Sequence, residues 1–285
     1  TLLALGGTGS ILLVIGWRVG ALHRRNRMLE AMVAARTREV EAKAGELERA
    51  NEALRNQNLT DPLTGLRNRR YLGVCMPKDV AQVQRVHRDV TASRNERVLL
   101  NIDLVFLMVD IDHFKFVNDH HGHAAGDQVL QQVAEILRQA TRDSDTVVRW
   151  GGEEFLVVAR NAARRESALL AERIRTQMAE HAFRLEDGTV LHRTCSVGFT
   201  FYPFAPENSD FLPWEQVLDI ADHCLFAAKR GGRNAWVGVF PSDDCDTTRL
   251  QAALPTGIPG LLKSGDIAVA TSLPDPRALE WDLRK

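Results

Sequence analysis

Trp150-Gly151-Gly152-Glu153-Glu154-Phe155 places two carboxylates immediately after two glycines. Glycine lets a backbone turn tightly and come close to a bulky ligand. Val147 and Val148 before the motif, and the apolar residues 155–158 after it, read as strands. The motif is therefore the tip of a hairpin that presents paired hard oxygen ligands, the kind that hold Mg²⁺ beside substrate phosphates. About forty residues upstream, Val105-Phe106-Leu107-Met108-Val109 is a continuous apolar run, as expected of a strand buried on both faces. It ends in Asp110-Ile111-Asp112, and Asp110 beside Glu153 would make a metal site from two strand ends. Either motif alone also fits an ordinary solvated turn. Together they point to a metal–nucleotide site.

The elements that must position these groups follow in a regular order. After Asp61 the pattern predicts a helix, a strand over 105–110, a helix over 126–139, a hairpin over 146–159 and a helix over 164–182. A strand over 194–202, a helix over 215–229 and a strand over 235–240 complete it. Helices interleaved with strands around one central hairpin give an α+β sandwich of the ferredoxin-like type. Val129, Leu130, Val133, Ile136 and Leu137 form an apolar stripe, so the helix that begins near Gly126 covers the sheet and Asp127 lies in its first turn.

The motifs form an ordered series. Asp61-Pro62-Leu63-Thr64-Gly65-Leu66-Arg67-Asn68-Arg69-Arg70 comes first, then Asp110-Ile111-Asp112-His113-Phe114-Lys115 with Asn118-Asp119. Gly122-His123, Gly126-Asp127, the Gly-Gly-Glu-Glu-Phe turn, Ser196-Val197-Gly198 and Ala228-Lys229 with Gly232-Arg233-Asn234 follow. In this order and spacing, residues 61–240 resemble the GGDEF family of diguanylate cyclases, in its GGEEF variant. The resemblance implies a nucleotidyl-cyclase-type fold and condensation of two GTP molecules to cyclic di-GMP, with release of two pyrophosphates.

That chemistry needs a deprotonated ribose 3′-oxygen and positive charge against the phosphates. Asp110 and Glu153 can supply carboxylates to Mg²⁺ or Mn²⁺, and the resemblance adds the Ile111 carbonyl. Glu154 is the candidate base or second-metal ligand, next to the metal yet on the other face of the strand. Lys115 is a candidate phosphate or transition-state cation. The resemblance assigns the β- and γ-phosphates to Lys229 and Arg233, and guanine to Asn118 and Asp127, with His123 and Phe114 also near the substrate. Guanine requires an acceptor for N1–H and N2–H₂ and a donor to O6, which Asn118 and Asp127 together offer. Arg142-Asp143-Ser144-Asp145 stands at the offset of the family's inhibitory product site, so Arg142 and Asp145 imply feedback inhibition by cyclic di-GMP.

The ends differ from the middle. Residues 2–17 are almost wholly apolar and precede Arg18, His23, Arg24, Arg25 and Arg27. As a helix this run spans only ~24 Å of the ~30 Å hydrocarbon core, so it reads as part of a transmembrane segment (1–20), truncated by the start at Thr1. The basic cluster after it predicts a bacterial inner-membrane protein with a cytoplasmic catalytic domain. Over 21–60, Val33, Val40, Leu47 and Leu54 recur every seven residues, while Thr37, Ala44, Asn51 and Asn58 make a poor second seam. That pattern predicts a marginal two-stranded coiled coil, suited to signal transduction in a homodimer. Residues 71–104 read as a helix with an insertion. The Pro-, Gly-, Ser- and Asp-rich residues 241–285 read as a largely flexible tail, with short helix near Leu279.

A net charge of −1 argues against bulk binding of nucleic acid. Four scattered cysteines without a Cys-x-x-Cys read as reduced thiols, and the His120, His121, His123 cluster lacks zinc spacing. Three alternatives to a membrane-anchored diguanylate cyclase remain. A catalytically silent GTP- or cyclic di-GMP-binding signalling module would not need all of Asp110, Lys115, Glu153, Glu154, Lys229 and Arg233. A structural membrane adaptor would need none of them. A glycosyltransferase-type Asp-x-Asp would leave the second carboxylate pair unexplained.

Overall fold

The computed structural model describes residues 17–18, 22–23, 25, 27–30, 32–33, 36–47, 59–93, 102–242, 245–253, 257–275 and 279–281. The chain divides into two units, Thr1–Asn58 and Leu59–Lys285. In the first unit the described residues are helical, and Val33, Val40 and Leu47 are exposed. Most of the apolar run 2–17 and the heptad positions Leu54, Asn51 and Asn58 lie outside the described residues. No helix among the described residues is long and apolar enough to cross a membrane.

The second unit is built on one mixed sheet. Its strands are β1 (Arg67–Asn68), β2 (Asp103–Ile111), β3 (Thr146–Gly151), β4 (Glu154–Ala162), β7 (Cys195–Tyr202), β8 (Trp236–Pro241) and β9 (Ile267–Thr271). They lie in the order β1-β3-β4-β2-β7-β8-β9, and β5 (Phe183–Arg184) with β6 (Val190–Leu191) form a separate ribbon. The inner four, β3-β4-β2-β7, are antiparallel throughout, as the ferredoxin-like reading of the sequence requires.

Alternation along β2 explains why both faces need helices. Val105, Leu107, Val109 and Ile111 enter one core, beneath α3 (His123–Ala140) and α4 (Ser167–Glu180). Leu104, Phe106 and Met108 enter the other, beneath α1 (Arg69–Ser93) and α5 (Trp214–Arg230). All nine residues of β2 are buried, which accounts for its unbroken apolar run. A short α2 (Phe114–His121) joins β2 to α3. Gly198 explains how close α5 lies: a Cβ there would stand 2.0 Å from the Leu225 nitrogen and 2.2 Å from the Ala221 oxygen.

The segment beyond residue 240 departs from expectation. α6 (Thr247–Ala253) and α7 (Gly257–Ser264) fold back, and β9 pairs antiparallel with β8. Leu250, Ile258, Leu261 and Ile267 are buried in the α5-side core, so few but well-spaced apolar residues suffice to fix it. Asp266 is fully buried and accepts hydrogen bonds from Ser264 Oγ and the Asp246 N–H, with Arg249 3.0 Å away. The residues described at 279–281 form no helix.

Candidate active site

Asp110 lies at the end of β2 on the face of Phe106 and Met108, and its Cα partner across the ladder is Glu154. Leu156 and Val158 on β4 point into the same core as Phe106. Strand alternation therefore puts Glu154 on the same face as Asp110, facing α5. This corrects the expectation that Glu154 looks to the other face of the strand, while Glu153 stays close enough to Asp110 to add to the upward push of burial on its carboxyl. Glu153 belongs to the turn, where its carbonyl accepts from the Ile111 N–H at 3.4 Å.

α5 closes the site from above. Lys229, near its C-terminus, brings Nζ to 2.6 Å from Asp110 Oδ2. Burial pushes the Asp110 carboxyl up to about 6, with Lys229 opposing and Glu153 and Glu154 adding. Burial also raises Glu154, opposed by Lys229 and Arg69 and reinforced by Asp222 and Glu153. Among the described residues no three His, Cys, Asp or Glu side chains already converge as a metal cage. The donor chemistry nevertheless fits a hard divalent cation: three carboxylates crowd one strand end, and an ammonium sits against the most buried of them.

The Gly-Gly turn is braced from outside the motif. Gly152 has φ 52°, a left-handed conformation that glycine adopts without strain. Arg149 donates from Nε and Nη2 to the Gly152 carbonyl at 3.2 and 3.0 Å. Its other nitrogen reaches both oxygens of Asp61, which also receives the Thr64 N–H and hydroxyl. The Asp61-Pro62-Leu63-Thr64 motif thus holds the Gly-Gly hairpin through Arg149, a link that the sequence left unread. Its one visible signal is an arginine two residues before the glycine pair.

Asn118 on α2 packs against Gly126, the residue before Asp127 on α3. A Cβ on Gly126 would stand 2.0 Å from Asn118 Oδ1, so Gly126 is the seat of the Asn118 carboxamide. Lys115, His123 and Asp127 are exposed on the same pair of helices. The Phe114 side chain is buried in the core beneath Gly126, so any contact of this residue with a ligand would be through its backbone.

Arg233 is exposed at φ 64° beside Asn234 at φ 45°. Asp112 holds this loop. Its carboxylate accepts from the Asn234 N–H at 2.9 Å, from Thr194 Oγ1 at 2.6 Å and from Ser196 Oγ at 2.7 Å. The second aspartate of Asp-x-Asp is therefore a buried brace, a role that the sequence left unassigned.

Arg142 and Asp145 lie apart from this site, on an open cleft of about 520 Å³ that Arg67 and Arg138 also line. Asp145 accepts from the Arg142 N–H at 2.9 Å and the Arg160 N–H at 3.1 Å, so its carboxylate closes its own turn. The Arg142 guanidinium is exposed, 3.8 Å from Glu166.

With this geometry in place, comparison with known proteins is specific. The family model described as "Diguanylate cyclase, GGDEF domain" matches residues 58–235. Diguanylate cyclase A of Treponema denticola is 34% identical over 184 residues, covering 65% of this chain and 45% of its own length. Diguanylate cyclase DgcP of Pseudomonas aeruginosa is 39% identical over 183 residues, covering 64% of this chain and 24% of its own. The chain thus spans less than half the length of these curated relatives. Among solved structures, the coiled coil and GGDEF domain of DgcB from Caulobacter crescentus, in complex with c-di-GMP, superposes with a TM-score of 0.57 at 27% identity. It covers 71% of this chain and 96% of that one. The diguanylate cyclase SiaD of Pseudomonas aeruginosa, in complex with its activator SiaC, gives 0.54 at 28% identity and covers 81% of each chain. The site elements β2, β3, β4 and α5 all lie inside the matched residues, and the chain belongs to the GGDEF family.

Proposed function

We propose that this chain is a metal-dependent diguanylate cyclase that condenses two GTP molecules into cyclic di-GMP. The observation that carries the reading is Asp110 directly across the ladder from Glu154, with Lys229 of α5 closing on the pair. In each of two successive steps a ribose 3′-oxygen bonds to an α-phosphorus of the other nucleotide and pyrophosphate leaves. Glu154 accepts the 3′-hydroxyl proton, and burial favours this by raising its carboxyl above the ordinary range. Asp110, Glu153, Glu154 and the Ile111 carbonyl would hold Mg²⁺ or Mn²⁺, which when bound supplies positive charge to the phosphates. Lys229, Arg233 and Lys115 bind phosphate oxygens, while Asn118 and Asp127 take the guanine edge and His123 flanks the substrate.

One domain offers one nucleotide site, so the working enzyme is a homodimer in which two domains face each other. The segment at 21–60 is the dimerising linker, and the apolar run before it anchors the protein in the bacterial inner membrane with the catalytic domain in the cytoplasm. Cyclic di-GMP binds back at Arg142, whose exposed guanidinium, held only at 3.8 Å by Glu166, can turn to grip phosphate or stack on guanine.

The test is GTP turnover with Mg²⁺, with products separated by chromatography. The expected result is cyclic di-GMP and pyrophosphate from the parent, and a loss of at least about a hundredfold in Glu154→Gln. Arg142→Ala should keep the initial rate but lose inhibition by added product. If GTP binds but no product forms at any protein concentration, the chain is a nucleotide-binding signalling module instead.

A further inference from the structure

The family match stops at residue 235, yet the chain beyond it returns to the end of α5. β9 runs antiparallel to β8 with Thr271 opposite Val237. The residue after β9, Ser272, occupies both backbone polar groups of Trp236. Its hydroxyl accepts from the Trp236 N–H at 2.9 Å, and its own N–H donates to the Trp236 carbonyl at 3.1 Å. The Thr271 hydroxyl donates to that carbonyl at 2.9 Å.

Leu273 then reaches Gly231, the C-cap of α5. Its Cδ1 stands 2.4 Å from where a Cβ on Gly231 would lie. Gly231 has φ −71°, which any residue adopts, so the backbone does not demand glycine there. The Leu273 side chain fills the space instead. Arg230 adds a surface pair with Glu280 at 2.7 Å.

Gly231 lies between Lys229 and Arg233, the two cations assigned to the β- and γ-phosphates. The far side of this loop is gripped by Asp112 and by Arg175, which donates to Asn234 Oδ1 at 2.9 Å. Arg233 and Asn234 hold positive φ, a conformation that non-glycine residues keep only where their surroundings impose it. The loop is therefore clamped from both sides, and the extension supplies one jaw.

We propose that Leu273 and Ser272 are positioning residues for triphosphate binding: the C-terminal extension sets the place of Lys229 and Arg233 without touching the nucleotide. The inference rests on the cyclase reading for the role of those two cations. It assigns a function to a segment outside the family match, and it makes the phosphate half of the site dependent on that segment.

Leu273→Ala and Gly231→Ala, singly and combined, test it through equilibrium affinity for GTP and for GMP beside steady-state KM and kcat. GMP lacks the β- and γ-phosphates and reports the guanine half alone. Leu273→Ala should weaken GTP binding and raise KM about three- to tenfold, with GMP affinity and kcat within about twofold of the parent. Gly231→Ala should show the same selective loss, because its methyl meets Leu273. The double variant should recover part of it, since the new methyl fills the vacated space. GTP affinity unchanged in both single variants, or an equal fall for GMP, overturns the proposal. Binding is read without turnover, so a parent that binds GTP but forms no cyclic product defeats the cyclase reading while the affinity ratio still judges the strut.

Discussion

Asp112 shows how much one buried carboxylate can organise. It is 2% exposed and satisfies two hydroxyls at the start of β7 and one backbone N–H from the loop after α5. Removing it strands those donors in a dry site, so Asp112→Ala should destabilise the domain by about 2–4 kcal/mol in urea unfolding. Asp112→Asn keeps one acceptor and should lose less. A second carboxylate, Glu172, is held down at about 2, chiefly by the Arg175 guanidinium and also by Trp236 Nε1–H. A carboxylate depressed by folding stabilises the native state above its ordinary pKa, and that contribution fades as pH falls through 4.5 toward about 2. Glu172 is partly exposed, so solvent screens the effect. The parent should lose more stability than Glu172→Gln between about pH 5 and pH 3. Parallel losses would remove this pair from the account.

At the level of elements, Gly198 lets the backbone of α5 pack directly on β7, and the atoms in the way of a side chain there belong to backbone. Gly198→Ala must push α5 off the sheet, carrying Lys229 from Asp110. Stability should fall by more than about 2 kcal/mol, and GTP turnover with it. Normal turnover and stability would mean that the helix has slack. The elements that carry this chemistry were legible in the sequence because each has one clear period. The apolar run of β2, the stripe of α3 and the paired strands around Gly151-Gly152 lie where expected. Register was less legible. Glu153 lies in the turn, where no strand period fixes it, and only the pairing of Asp110 with Glu154 decides which glutamate shares the buried face. β9 was illegible for a different reason. Its segment is rich in proline and glycine, and its order comes from four buried apolar residues and Asp266, none of which forms a periodic pattern.

For the whole molecule, the proposed reaction joins two nucleotides where one domain holds one, so on that reading activity depends on how copies meet. In the helical unit Val40 and Leu47 are exposed in the single chain, which leaves an apolar seam for a second copy. Replacing residues before 59 with a stable dimeric coiled coil, advanced one residue at a time, should make cyclic di-GMP formation rise and fall with helical phase. Equal rates in every phase would separate the linker from control of catalysis.

The position of β9 in the chain also bears on biosynthesis. β8 is made some thirty residues before the strand that covers its outer edge. Until residues 267–271 leave the ribosome, β8 presents an unpaired row of N–H and C=O groups, a template for other nascent chains. A translation product that stops in the 250s would carry every residue of the family match and still expose that edge. Premature termination late in the message should therefore yield aggregates rather than a slightly shortened enzyme, and chaperone demand should peak just before synthesis of β9.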